Sequence, residues 1–260
     1  GALTVGKAGP YLVHAIPGAG VGPVVLTAST CAVLAAALVW WGYRDGPYPF
    51  PPRPFSWGLV RAVVSEPRWR LATGGYLGHM AELYAFWTWI PAFVAASALA
   101  HGGPIDGAAA PRSPLVQLLA FGIIAVGGAG CIWGGLVADR IGRARLVTVA
   151  MAASGACALL VGLTFGRSWW LLAPVALAWG FFVIADSAQF SVLVTESVPP
   201  HAVGTALTVQ VSLGFLLTTL TIQLVPWLAA RVGWAWAFAF LAIGPALGIL
   251  SIRRLREARG

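Results

Sequence analysis

Residues 203–230 run for about eight helical turns without a charged side chain, and similar apolar runs recur along the chain. Inside lipid, backbone amides and carbonyls meet no water, so each run must satisfy its own hydrogen bonds, as a helix does. About 20 apolar residues suffice to cross a bilayer. Runs near or above that length cover 24–43, 71–99, 115–138, 146–165, 169–195, 203–230 and 234–252. An eighth, 1–17, contains Lys7, Pro10 and His14 and reads as a helix cut near its beginning. The expected fold is all-α, a polytopic transmembrane bundle of about eight spans.

Charge supports the same conclusion. Only 9% of residues are charged and 59% are hydrophobic, against about 25% charged in a soluble domain. The net charge of +8 raises nucleic acid as a partner. No stretch interleaves aromatic and basic residues as a nucleic-acid face does, so none is expected. The arginines gather in alternate connections instead: Arg44, Arg53, Arg61, Arg68 and Arg70, then Arg140, Arg143 and Arg145, then Arg253, Arg254, Arg256 and Arg259 in the tail. Between these lie Arg112, Arg167 and Arg231. Twelve against three is a positive-inside asymmetry, which places the twelve and the C-terminus in the cytoplasm. An integral protein of a bacterial inner (plasma) membrane is the expected setting, with the lipid bilayer as a partner.

Cys31, Cys131 and Cys157 all sit in apolar runs without metal-ligand spacing and read as small packing residues. No initiator Met or secretory leader precedes Gly1, which already borders an apolar segment, so the expectation is a fragment whose first part is missing. The stretch 44–70 is the long basic linker. Its five prolines between 46 and 54 predict an extended chain, and 55–64 predicts a short amphipathic surface helix with Arg61 turned to water. Asp106 and Arg112 fall in a Gly/Pro/Ala loop over 100–114.

The segment 134–145 sets three arginines against Asp139 between two apolar runs. Gly135, Asp139, Arg140, Gly142 and Arg143 follow the spacing G-x-x-x-D-R-x-G-R, which resembles the signature loop of the major facilitator superfamily of transporters. Ala144 departs from the family pattern, which has a basic residue there; Arg145 can substitute for the charge. The family carries this loop twice, and four apolar runs after it imply the second copy. The resemblance then implies helices 5 to 12 of twelve: 1–43 as the last two helices of an N-terminal bundle, 44–70 as the linker between bundles, and 71–260 as a C-terminal six-helix bundle. The activity it implies is secondary active transport of a small solute by alternating access, with protons as a candidate coupling ion. Ala2-Leu3-Thr4-Val5 recurs as Ala206-Leu207-Thr208-Val209, which under this alignment falls at the cytoplasmic start of the fifth helix of each half.

Under the same resemblance the loop forms part of a conformational latch made of Gly135, Asp139, Arg140, Gly142, Arg143 and Glu196. Asp139 would meet the positive end of a helix dipole, with the helix start at Gly1 and Ala2 as the expected partner, and Arg140 or Arg143 would reach Glu196. The alternative is a topological anchor whose arginines simply stay in the cytosol.

Ionisable residues at membrane depth are few: Lys7, His14, His79, Glu82 and Asp186. Each requires a partner or a watered cavity. Glu82 lies about 17 Å into its run, near the bilayer centre, and His79 shares its helix face at i, i+3. The expected substrate or proton pathway is Tyr76, His79, Glu82, Asp186 and Gln210, with Phe86, Trp87 and Trp89 as aromatic surroundings. The competing reading makes His79 and Glu82 hydrogen-bonding groups that only fix the bundle. Asp186, with Gln189 nearby, has Lys7 as an expected partner or serves as an inner gate. Gln210 and Gln223 also suit interhelical hydrogen bonding, and His14 suits packing.

The chain is not expected to be an enzyme. It lacks H-E-x-x-H, a serine-histidine nucleophile arrangement and the G-x-x-x-x-G-K-[ST] phosphate loop. No cofactor and no metal are expected. A membrane-embedded enzyme and a non-transporting sensor or assembly protein on the same fold are the alternatives. One acid, one His and several aromatics do not specify a solute.

Overall fold

A computed structural model describes residues 1–47, 55–102 and 113–258. Most of the proline stretch, including Arg53, as well as Asp106, Arg112 and Arg259, lie outside the described residues, so the expected extended segment and Gly/Pro loop fall there too. Every regular element among the described residues is a helix. Among the described residues, seven helical segments are long and apolar enough to cross a membrane: Val21–Gly42, Pro67–Ala100, Pro114–Ile141, Arg143–Thr164, Trp169–Thr195, Pro200–Val232 and Trp234–Glu257. The fold is an all-α, polytopic helical bundle, and its seven apolar helices mark a membrane-integral protein.

The elements follow from local chemistry. α1 (Ala2–His14) has 13 residues, too few to span, and Gly18 at φ 80° turns the chain into α2 (Val21–Gly42). α2 buries none of its residues. α3 (Trp57–Ser65) is the expected amphipathic helix: Ser56 caps it by accepting from Leu59 N–H at 3.3 Å, Arg61 is exposed, and Val63 is buried among protein side chains. α4 (Pro67–Ala100) starts at a proline after the Glu66 cap, where the missing N–H costs nothing. Its 34 residues make it about 51 Å long, more than the hydrocarbon core requires.

α5 (Pro114–Ala125) and α6 (Gly127–Ile141) form one span, and α7 (Arg143–Leu160) follows after a single residue, Gly142. Its φ of 89° lies in a region that side chains with a Cβ avoid, so the reversal between helices depends on glycine. A 3-10 turn, Val161–Thr164, ends that span. α8 (Trp169–Ala185) and α9 (Ser187–Thr195) form one span interrupted at Asp186. α10 (Val203–Val232) is continuous, while the last span is divided into α11 (Trp234–Ala237), a 3-10 turn and α12 (Ile243–Glu257).

Glycines set the helix separations. A Cβ on Gly130 would collide with the Phe181 carbonyl and one on Gly134 with that of Ala185, so α6 and α8 touch backbone to backbone, as the G-x-x-x-G spacing predicts. Gly180 answers from α8 against the Ile123 carbonyl. On the other side, Gly74 meets Ser251, Gly75 meets Ile252 and Gly78 meets Gly244, which sets α4 antiparallel to α12. The larger apolar core surrounds Phe86, Trp87, Phe93, Trp179 and Phe238; a smaller one gathers Trp69, Met151, Phe190, Val194 and Leu255 nearer the arginine-bearing end.

The first helix departs from expectation. Gly1 lies against Gly128 and Thr4 against Gly127, midway along the Pro114–Ile141 span, while His14 reaches Pro114 at its far end. Ala2–Val5 therefore does not share a level with 206–209, which sits beside Trp69 at the arginine-bearing end. The 13 residues of α1 cover about 20 Å and leave the other half of the span uncontacted.

Candidate functional site

Four helices bring one polar cluster together in the apolar interior. α4 supplies His79 and Glu82, each 2% exposed. Their i, i+3 spacing puts both on the inward face, yet they engage different partners. Glu82 accepts a hydrogen bond from Ser154 Oγ on α7 at 2.9 Å and another from Trp179 Nε1 on α8 at 2.7 Å. Both carboxylate oxygens are thus occupied, and Phe86 packs on the Trp179 ring with centroids 4.4 Å apart.

His79 faces the other way. Its Nδ1 lies 2.9 Å from Oδ1 of Asp186, at 1% exposure the deepest acid of the group. Oδ1 has no hydrogen-bond donor in alignment, so the two groups are in close contact without a directed hydrogen bond. Asp186 stands at the break between α8 and α9, and the start of α9 gives its carboxylate the favourable end of a helix dipole. Tyr76 and Phe190 enclose the imidazole, with centroids 6.4 and 5.2 Å away.

The arrangement corrects several expectations. Asp186 meets His79 and not Lys7, which is exposed, because α1 turns Thr4, Ala8 and Tyr11 toward the bundle. Trp87 stacks on Tyr84, and Trp89 donates to the Ile222 carbonyl, so both turn away from the cluster and only Phe86 joins it. Gln223 is exposed and bridges no buried interface. His79 and Glu82 are enclosed, whereas the large groove on α4 follows a neighbouring face through Gly74, Gly78 and Ala81.

Gln210 is 1% exposed, and its Nε2 has no partner among the described residues. Trp69 bonded to the Ala206 carbonyl and Tyr76 packed on Gly214 bracket it, so it faces the stretch of α4 that carries Thr73, whose buried hydroxyl is also unpartnered. Gln189 is buried beside Phe190. His14 is half-buried at the α1 turn near Pro114. Ser154 and Trp179 went unread in the sequence because neither is ionisable; a lone indole N–H inside an apolar run was the available signal.

At the arginine-bearing end, Arg143 Nη1 lies 3.2 Å from Glu196 Oε1, with side chains 43% and 36% exposed. Of the two arginines expected to reach Glu196, the structure brings Arg143. Gly142 makes the turn, Asp139 and Arg140 are exposed, and Gly135 has no neighbour a Cβ would meet. Asp139 lies eleven residues along α6 from Gly128, where Gly1 rests, or about 16 Å away. The start of α1 is not its partner.

Among the described residues no group of three His, Cys, Asp or Glu side chains is placed to hold a metal. No family model and no curated protein matches the chain.

Proposed function

We propose that the chain is a major part of a secondary transporter of a small solute that works by alternating access and resembles the major facilitator superfamily. The observation that carries the reading is the His79–Asp186 contact at a helix break, beside Glu82, inside a bundle of apolar spans. Ionisable groups at such depth are costly, and those that occur mark solute and proton paths. His79, Asp186 and Gln210 are assigned to the solute or proton path, with Tyr76 as its aromatic wall. Glu82 couples to them through α4. Its two donors make it the less mobile member.

Arg143 and Glu196 form a latch between the α6–α7 turn and the end of α9. Two exposed partners contribute about 0.2–1 kcal/mol, so the latch biases the two states by a few-fold and does not lock either. The linker 44–70 separates the bundles, and the arginine-bearing end, with the C-terminus, faces the cytoplasm.

The test uses full-length protein in proteoliposomes, screened against organic cations, aromatic drugs, sugars and organic anions, with a trapped pH dye. Saturable, gradient-dependent flux that Asp186→Asn abolishes supports the reading. Conversion of a solute points to an enzyme, and neither flux nor conversion to a sensor or assembly protein; both outcomes overturn transport. One observation favours that last alternative: a donor on each oxygen of Glu82 is what a purely structural carboxylate needs.

A further inference from the structure

The face of α4 that carries Gly74, Leu77, Gly78 and Ala81, adjoining the face that carries Glu82, forms one wall of a groove of about 510 Å³ shared with α10 and α12. Its floor exists because Gly74, Gly78 and Gly244 lack side chains, and Leu220, Leu224 and Leu247 form its apolar sides. The Ser251 hydroxyl in it already donates to the Leu71 carbonyl at 2.9 Å, so that group does not require a polar ligand. Leu220 and Leu247 are 64% and 60% exposed, so the groove opens on the surface of the bundle. An unfilled apolar slot there forfeits dispersion contacts that a flexible hydrocarbon chain supplies.

One end of the groove is basic. Arg70 stands one turn before Gly74 on α4, and Arg254 one turn after Ser251 on α12. Because Gly74 meets Ser251 and the helices are antiparallel, both arginines stand at the same mouth, on the helix faces that line the groove. Both are exposed. One Arg70 guanidinium nitrogen donates to the Ser65 carbonyl at 3.1 Å, which holds the side chain at the helix start and leaves its other donors. Glu257 is one turn beyond Arg254.

We propose that this groove seats an acyl chain of an anionic phospholipid whose phosphate sits between Arg70 and Arg254. A basic mouth above an apolar slot between spans matches both parts of such a lipid. The site does not include the buried polar cluster, and it requires that this face of the embedded chain be turned to lipid.

Native mass spectrometry of the full chain in detergent, with phosphatidylglycerol or phosphatidylcholine of identical acyl chains, tests it. The protein retains phosphatidylglycerol preferentially. Arg70→Gln and Arg254→Gln each reduce that preference about fivefold, while Arg253→Gln, off the groove face, leaves it intact. Leu247→Trp fills the groove at an exposed position and lowers retention of both lipids, with the arginines still present. Equal retention of the two lipids by the unmodified chain, an unchanged preference in the Arg70→Gln Arg254→Gln variant, or undiminished retention in Leu247→Trp overturns the proposal. Dimerisation through this face that excludes lipid also overturns it.

Discussion

Glu82 holds two donors at once, and that geometry separates a structural role from a proton-carrying one. In Glu82→Gln the amide oxygen still accepts from Trp179 and the amide nitrogen donates to Ser154, whose hydroxyl accepts as well as donates. Thermal unfolding in detergent should shift by less than about 1 kcal/mol, while proton-driven uptake falls if Glu82 carries the proton. Glu82→Ala leaves the buried Trp179 N–H unpaired, at about 1–3 kcal/mol, while Ser154 Oγ keeps the Met151 carbonyl at 3.3 Å as an acceptor. Asp186→Ala, which removes the polar group in contact with the buried imidazole, should cost about 1–3 kcal/mol, measured the same way. These residues show what the sequence makes legible. Acids and imidazoles stand out in an apolar run, so Glu82, His79 and Asp186 were readable singly. Their partnership was not, because helix rotation and the break at Asp186 decide who meets whom.

At the level of helices, the α6–α8 contact is the most demanding packing. Gly134→Ala must separate two backbones, and a loss of about 1–3 kcal/mol in thermal unfolding is expected. Gly135→Ala, one residue on, meets nothing and should be neutral or stabilise by up to about 1 kcal/mol, since alanine favours helix. An equal effect of the two substitutions would contradict the backbone contact. The G-x-x-x-G spacing made one glycine helix face readable, but not which helix it meets. Spans were legible to within a few residues because hydrophobic length is a local property. The level of α1 was not: a 13-residue helix does not carry its own depth, and contacts such as Gly1 with Gly128 and Thr4 with Gly127 fix it.

For the whole molecule, the two ends differ in charge and in what they join. Arg143, Arg145 and Arg256 line one depression at the end where α9 stops at Glu196 and α4 starts. At the other end, His101 Nδ1 lies 3.2 Å from the Gly166 carbonyl, tying the end of α4 to the turn before α8. Exchanging Arg143 and Glu196 should test the latch. Arg143→Glu alone should change the fraction of inward-open protein up to about fivefold by accessibility labelling, and the added Glu196→Arg should restore it. The central claim is a bundle threaded through the bilayer with its arginine-bearing turns on one face, enclosing a few polar groups. Single cysteines at Arg143, Arg256, His101 and Arg167, introduced after Cys31, Cys131 and Cys157 are replaced, test it with a membrane-impermeant maleimide in sealed vesicles. The account predicts that positions 143 and 256 label from one side and 101 and 167 from the other; labelling of 143 and 256 from opposite sides would contradict it.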